Sequence, residues 1–525
     1  MPRRVDGSEM MAFVIILVVI LPWAETIQLR GANGDGPPPL PYNPNDLYIP
    51  QVMNTALHGL HKCFDCQNIA VVGAGVSGLI NAIELSLAGH TVTVYEASDR
   101  LGGRILTHRV RDKGYITELG AMRLPLDQHR LTNVYVTQRY KLKVSPFLGY
   151  DANALFYVND HRGTFNQRVL PENVGFEVYD IERNKTAGQL WDDAMYSVKY
   201  SSYDELKAKY DKYSIQSYFI EHENMSRGAI DFVSVMFNVD MQTSLIEMVR
   251  STLILPLSPN YSQIDGGFDL LIDAFERACN DVPDGRCKIH TNRPVKEVHY
   301  EEDIANPTSR PWVRLTIGGI SNMMRYDSLI VTTTARAANL IDFVPRALFV
   351  DKYRAFRQLH YDCATKIVHS FSRQFWRDEG IQGGSSITDL PVRFVFYNNF
   401  NTTADSVRDG AFIITSYAWS TDALLWSAMT DEQACEKALQ NLNDLHKGVD
   451  IRPLRTSCEV KNWCTDQYAL GAYALFTTYQ ETNIHDELGK SVKNTVHFTG
   501  EHTSLNHRWI EGAVQSSLRL LMHMQ

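Results

Sequence analysis

Residues 68–104, NIAVVGAGVSGLINAIELSLAGHTVTVYEASDRLGGR, leave this chain little freedom in how it folds. A short β-branched run at 69–72 leads directly into Gly73-Ala-Gly75-Val-Ser-Gly78, and a helical spacing of Leu79, Ala82, Ile83, Leu85 and Leu87 follows. Residues 91–95 read as a second strand that ends at Glu96, 18 residues after the third glycine. Strand, tight turn, helix, strand and terminal acid together make a dinucleotide-binding βαβ unit. Gly73 permits the turn, Gly75 lets the backbone approach a pyrophosphate, and Gly78 lets helix and strand pack closely. The helix N-terminus attracts the phosphate charge, and Glu96 is placed to accept hydrogen bonds from a ribose.

The rest of the chain is read around that unit. With 525 residues, several domains are expected rather than one. A net charge of -9 argues against a nucleic-acid partner. Arg3-Arg4, an apolar run over 11–21 and Pro22-Trp-Ala24 have the order of a secretory signal peptide, with cleavage near Ala24. The apolar run is well short of the ~20 residues that a membrane span needs. Secretion agrees with acceptor sequons at Asn184, Asn224, Asn260 and Asn401, and with eight cysteines read as disulfides. The local pairs Cys279/Cys287 and Cys458/Cys464 are the ones expected. Cys63-Phe-Asp-Cys66 has no second pair to complete a zinc site, so no metal is expected.

After Glu96 the sequence continues Ala-Ser-Asp-Arg-Leu-Gly102-Gly103-Arg104, with a second glycine pair and an arginine in reach of a diphosphate. This extended fingerprint, with GxMRLP around Arg123 and Gly500-Glu501 before Trp509-Ile-Glu-Gly512, resembles the flavin amine oxidases, closest to the secreted, venom-type L-amino-acid oxidases. The resemblance runs from about Gln67 to the C-terminus. It implies an α/β fold: a Rossmann-like FAD-binding domain, a mixed-sheet α+β substrate domain and a helical insert.

The expected divisions are a signal peptide at 1–24, an extension at 25–63, and an FAD-binding domain at 64–108, 265–355 and 465–525. The substrate domain takes 109–164 and 356–464, and the helical domain 165–264. In the insert, Leu206, Tyr210, Tyr213, Ile215, Tyr218 and Phe219 read as a core stripe. Helical spacing is expected at 270–278, and strands at 288–300, 312–317 and 325–332 as a β-meander.

By resemblance, Gly73, Gly75, Gly78, Glu96, Arg104, Gly120, Ala121, Met122, Arg123, Val295, Gly500, Glu501, Trp509 and Ile510 contact FAD. Arg123 matches the carboxylate-binding arginine, and its planar fork suits two oxygens at once. Tyr417 supplies a second donor to that carboxylate, Lys366 sits beside the flavin, and Trp509 walls the substrate. The segment that carries the flavin-linking cysteine in monoamine oxidases reads Gly471-Ala472-Tyr473, which implies non-covalent FAD.

Three positions depart from the venom pattern. Ser251 stands for a histidine, Leu255 for a wall phenylalanine, and Arg508 for a glycine or alanine whose carbonyl meets the substrate ammonium. The venom bridge from near Cys435 does not carry over, because its partner position is Phe371. The activity implied is oxidation of L-amino acids by O2 to 2-oxo acids, ammonia and H2O2, with antimicrobial or toxic use of the peroxide and room for a homodimer. A polyamine or monoamine oxidase and a catalytically weakened flavoprotein toxin or binder are the alternatives. Arg508 adds a cation near the site, so neutral or acidic substrates are expected over L-lysine and L-arginine.

Overall fold

The computed structural model describes residues 49–110, 115–254, 260–306, 308–397 and 411–524. The expected leader at 1–24, the lead-in to residue 48, Leu255 and the Asn401 sequon lie outside the described residues. Asn184, Asn224 and Asn260 are exposed. Among the described residues no helix is long and apolar enough to cross a membrane.

The βαβ unit forms with the bounds its sequence implies. Strands Asn68–Val72 and Thr91–Tyr95 pair in parallel around the helix Val76–Ala88. Ile69, Ala70 and Val71 are fully buried, as expected of a strand covered on both faces. Gly73 has φ 101°, which a side chain would strain. A Cβ on Gly78 would lie 1.9 Å from the Gly73 carbonyl oxygen, so helix and strand meet backbone to backbone. The parallel sheet has the order Val496–Phe498, Ser328–Val331, Asn68–Val72, Thr91–Tyr95, Cys287–His290.

Two expected strands are each divided between sheets. The run at 288–300 breaks into Cys287–His290, which joins the parallel sheet, and Val295–Glu301, which pairs antiparallel with Trp312–Ile317. Between them Asn292 takes φ 55° and Pro294 has no N–H to donate to a ladder. The run at 325–332 divides likewise into Met324–Tyr326 and Ser328–Val331. Asp327 marks the crossing: its N–H donates to Asn68 O at 2.8 Å, and its carboxylate accepts the Asn68 N–H at 2.8 Å. The meander therefore exists as a smaller four-stranded sheet that also takes Asp342–Val344.

A seven-stranded sheet follows the order Arg455–Asn462, Ala364–Phe371, Ala411–Trp419, Phe394–Tyr397, Ser385–Thr388, Leu155–Val158, His161–Thr164. It is mixed, because Ser385–Thr388 runs parallel to Leu155–Val158 while the other neighbours are antiparallel. Its register corrects the expected Cys458/Cys464 pair. Thr365 lies opposite Asn462, so Cys363 comes to face Cys464 and bridges it, 101 residues away in sequence. Cys458 instead meets Cys435 on the helix Asp431–Leu445. Cys279–Cys287 and Cys63–Cys66 are bridged, so all eight cysteines are paired.

The insert is helical: Ala187–Met195, Tyr203–Tyr210, Ile215–Glu221, Arg227–Phe237 and Leu245–Ile254. Thr186, Ser202, Ser214 and Ser226 cap the first four by accepting a backbone N–H of the first turn. Leu206, Ile215, Tyr218 and Phe219 are core, whereas Tyr210 and Tyr213 are only partly buried beside it.

Candidate active site

The five-stranded sheet, the seven-stranded sheet and the insert enclose a cavity of about 640 Å³. Gly73, Gly75, Glu96, Arg104, Gly120, Ala121, Met122, Arg123, Val295, Lys366, Tyr417, Gly500, Glu501, Arg508, Trp509 and Ile510 all line it, and so does Ser251. Gly78 is absent from the lining; it sits at the helix–strand contact.

At one end the helix Val76–Ala88 points its N-terminus into the cavity. Gly75 is its N-cap and offers no side-chain cap, so the first-turn N–H groups are left for an incoming acceptor. Glu96 takes the Ala74 N–H at 2.8 Å, the Ser98 N–H at 2.9 Å and the Ser98 hydroxyl at 2.7 Å. A carboxylate has about four lone-pair sites, so one further donor can be accommodated. Arg104 donates to Glu501 at 2.9 Å and to Ala472 O at 3.1 Å. Glu501 also takes the N–H of Ala474 at 2.7 Å and of Arg508 at 3.0 Å, which ties three cavity walls to one carboxylate.

At the other end Arg123 is 8% exposed. Its guanidinium lies 5.1 Å from the centre of the Tyr261 ring and 5.9 Å from that of Phe396. Its Nη1 is buried without a hydrogen-bond partner. A buried cationic donor left unpaired is costly, and a carboxylate entering the cavity would satisfy it.

Lys366, on Ala364–Phe371, lies in register with Tyr417 on Ala411–Trp419, and its ammonium sits 4.6 Å from that ring's centre. It donates to Glu118 O at 2.9 Å and Gly120 O at 2.6 Å, and contacts Met122 Sδ at 3.2 Å. Burial lowers its pKa, the Glu118 charge works against that, and Arg123 lowers it further. Glu118 is pushed up by burial, against hydrogen bonds from the Phe268 N–H and Thr107 and the charge of Lys366. Trp509 stacks on Tyr261 with centroids 6.3 Å apart and meets His129 edge-on at 5.0 Å. Burial lowers the His129 pKa to about 3, so the ring is neutral, and neither of its nitrogens has a partner.

Residues 76–520 match the family model described as flavin containing amine oxidoreductase. The chain belongs to that family. It is 36% identical over 480 residues to an L-amino-acid oxidase of Siganus canaliculatus, covering 89% of this chain and 87% of that one. An L-amino-acid oxidase of Naja atra is 31% identical over 476 residues, covering 89% of each. Among solved structures, putrescine oxidase bound to putrescine has a TM-score of 0.67 at 18% identity, covering 88% of this chain and 99% of that one. Cyclohexylamine oxidase from Brevibacterium oxydans has 0.65 at 17%, covering 88% and 99%. These two report the fold.

As a flavin amine oxidoreductase the chain uses a flavin, and its residues fit one. A Cβ on Gly75 would meet nothing within 4 Å, so that glycine leaves open the space where a pyrophosphate would lie against the backbone.

Several residues of the site are not evident in the sequence. Trp463 lines the cavity and donates its indole N–H to Leu119 O at 3.0 Å, which holds the segment that carries Arg123. Tyr473 lines it too, and burial raises its pKa, as does the neighbouring Asp362. Its position directly after Ala472 was the available signal. Tyr261 is the middle residue of the Asn260 sequon, and nothing local marks it as a site residue.

A buried ion network closes the wall between the insert and the C-terminal segment. Arg250 pairs with Glu247 at 2.7 Å and with Glu481, and its Nε donates to Leu505 O at 3.1 Å. His507 Nδ1 lies 2.8 Å from Glu247 Oε2. Burial pushes the Glu247 pKa up, but Arg250, His507 and Arg508 outweigh it and hold the carboxyl well below the usual range. Ser251 and Arg508 are each the next residue after a member of this network.

Proposed function

We propose that the chain is a secreted FAD-dependent L-amino-acid oxidase. The observation that carries the reading is the buried, unpartnered Nη1 of Arg123 inside a flavin amine oxidoreductase cavity. An amine substrate without a carboxylate gives that group nothing to bind. Arg123 and Tyr417 hold the α-carboxylate, Trp509 forms the wall, and the main-chain carbonyl of Arg508 receives the ammonium. The bound flavin supplies a two-electron acceptor for the Cα–H bond and passes the electrons to O2 as H2O2. The imine product is hydrolysed to a 2-oxo acid and ammonia. Ser251 offers no base near neutral pH, so the chain works without an imidazole at that position.

A peroxide assay on mixed L-amino acids and on mono- and polyamines tests this. Peroxide from amino acids but not amines is expected. Peroxide from amines alone would make the chain an amine oxidase, and none from either would make it a flavoprotein binder.

FAD is held without a covalent bond. Ala472 offers no nucleophile, and no cysteine is free. Acid precipitation should leave the yellow colour in the supernatant, whereas colour in the pellet would refute it.

Lys366 places a hydrogen-bond donor beside the flavin and ties down the backbone of 118–122. Lys366→Met should therefore slow flavin reoxidation or imine hydrolysis more than flavin reduction. Stopped-flow separates the half-reactions, and equal slowing of both would reassign the residue.

A further inference from the structure

Arg508 is a bulky residue held where glycine would be comfortable. Its φ is 73°, a left-handed backbone that side chains rarely adopt. The conformation is imposed from both sides: its N–H donates to Glu501 at 3.0 Å, and the preceding His507 is fixed to Glu247 at 2.8 Å. Strain of this kind persists only where the surrounding structure over-determines it, and it clusters at active sites and ligand clamps. That side chain faces the cavity, and its Nε is buried without a hydrogen-bond partner. Among the described residues no carboxylate pairs with its guanidinium.

The carboxylates around it make their hydrogen bonds to other groups. Glu247 binds Arg250 and His507 through Oε2; its Oε1 is buried without a hydrogen-bond partner, and its charge attracts that of Arg508 without an ion pair between them. Asp362 takes the Ser420 hydroxyl at 2.8 Å and the Cys363 N–H at 2.9 Å, and Glu501 holds Arg104, Ala474 and the Arg508 backbone. The cavity thus presents two guanidiniums, each with a buried nitrogen lacking an acceptor. Tyr261 lies close enough for both of their charges to oppose the upward push of burial on its pKa.

We propose that Arg508 anchors a side-chain carboxylate, so that dicarboxylic L-amino acids are the preferred substrates, with Arg123 on the α-carboxylate and Arg508 on the distal one. This rests on the amino-acid oxidase reading and narrows it to one substrate class. It also explains why a left-handed position holds arginine: the guanidinium is the specificity element, and glycine would leave that end of the pocket uncharged.

The test compares L-glutamate with its neutral isostere L-glutamine in the FAD-loaded enzyme and in Arg508→Gly. Glycine suits φ 73°, so the variant is expected to fold. The glutamate-to-glutamine ratio of kcat/KM should be at least about tenfold in the parent, the scale of one charge-assisted contact, and should fall close to one in the variant. A parent ratio of one or less, or a ratio unchanged in Arg508→Gly, would overturn the proposal. Glutarate binding, read from the flavin absorbance, should likewise weaken about tenfold in Arg508→Gly. Equal affinity would also overturn it. If no amino acid is oxidised, the oxidase reading falls, while the glutarate titration still decides the role of Arg508.

Discussion

Arg123→Ala should lower kcat/KM for L-amino acids by about a hundredfold. One charge-assisted hydrogen bond contributes roughly 1.5–3 kcal/mol, or on the order of ten- to a hundredfold, and a planar fork can supply two. The loss lies at the upper end because the substrate carboxylate would then be buried against the Tyr261 and Phe396 rings without its paired guanidinium. Arg123→Lys should recover only part of the activity, since a point charge cannot reproduce two parallel donors. Flavin content must be measured beside the kinetics, because Arg123 belongs to the segment that Lys366 and Trp463 tie down. A variant with full flavin and normal turnover of amino acids would remove the carboxylate clamp from the mechanism and favour amines as substrates.

Gly78→Ala should abolish flavin binding by preventing the fold around it. The added Cβ would sit 1.9 Å from the Gly73 carbonyl oxygen and 2.8 Å from Thr332 Oγ1. A backbone oxygen cannot step aside as a flexible side chain can, so the helix must leave the strand. Overpacking in a well-packed core costs typically ~1–3 kcal/mol, and here the displaced element also shapes the pyrophosphate end. Gly75→Ala makes a contrasting control three residues away. Its Cβ meets nothing within 4 Å of protein, so the flavin-free chain should unfold at the parental flavin-free Tm and only cofactor affinity should fall. Flavin-to-protein absorbance ratios and thermal unfolding of both variants separate the two effects. A Gly78→Ala protein with parental Tm and a full complement of flavin would sink the argument.

Local patterns in the sequence carried much of this and stopped where long-range pairing began. The βαβ unit was legible because turn glycines, apolar runs and the acid fall within 37 residues and each has a separate physical reason. The helical insert was legible from its periodicity, and the mixed sheet from the family resemblance and the apolar runs around Lys366 and Tyr417. The division of 288–300 and of 325–332 between two sheets is marked locally by Asn292-Arg-Pro294 and by Asp327, but which sheet each half joins is decided only by the partner strands. The Cys363–Cys464 bridge was hidden because it follows from the register of Ala364–Phe371 on Arg455–Asn462. Arg123, Lys366 and Trp509, singled out by the family resemblance, line the cavity. Trp463 and Tyr261 reach the site through tertiary packing alone.

The order of strands in the parallel sheet also sets when the protein can acquire its cofactor. Asn68–Val72 leaves the ribosome some 260 residues before its neighbour Ser328–Val331, and the edge strand Val496–Phe498 follows later still. Glu501, Arg508 and Trp509, which close the cavity, follow that strand. The early βαβ unit is therefore held open until those strands arrive, with its apolar edge unpaired and its glycine turn facing half a pocket. A complete flavin site needs residues as late as Trp509, and the Cys279–Cys287 bridge can close well before that while Cys363–Cys464 must wait for the later strands to align. A chain that stops short of residue 496 would carry every glycine of the fingerprint and still come out colourless.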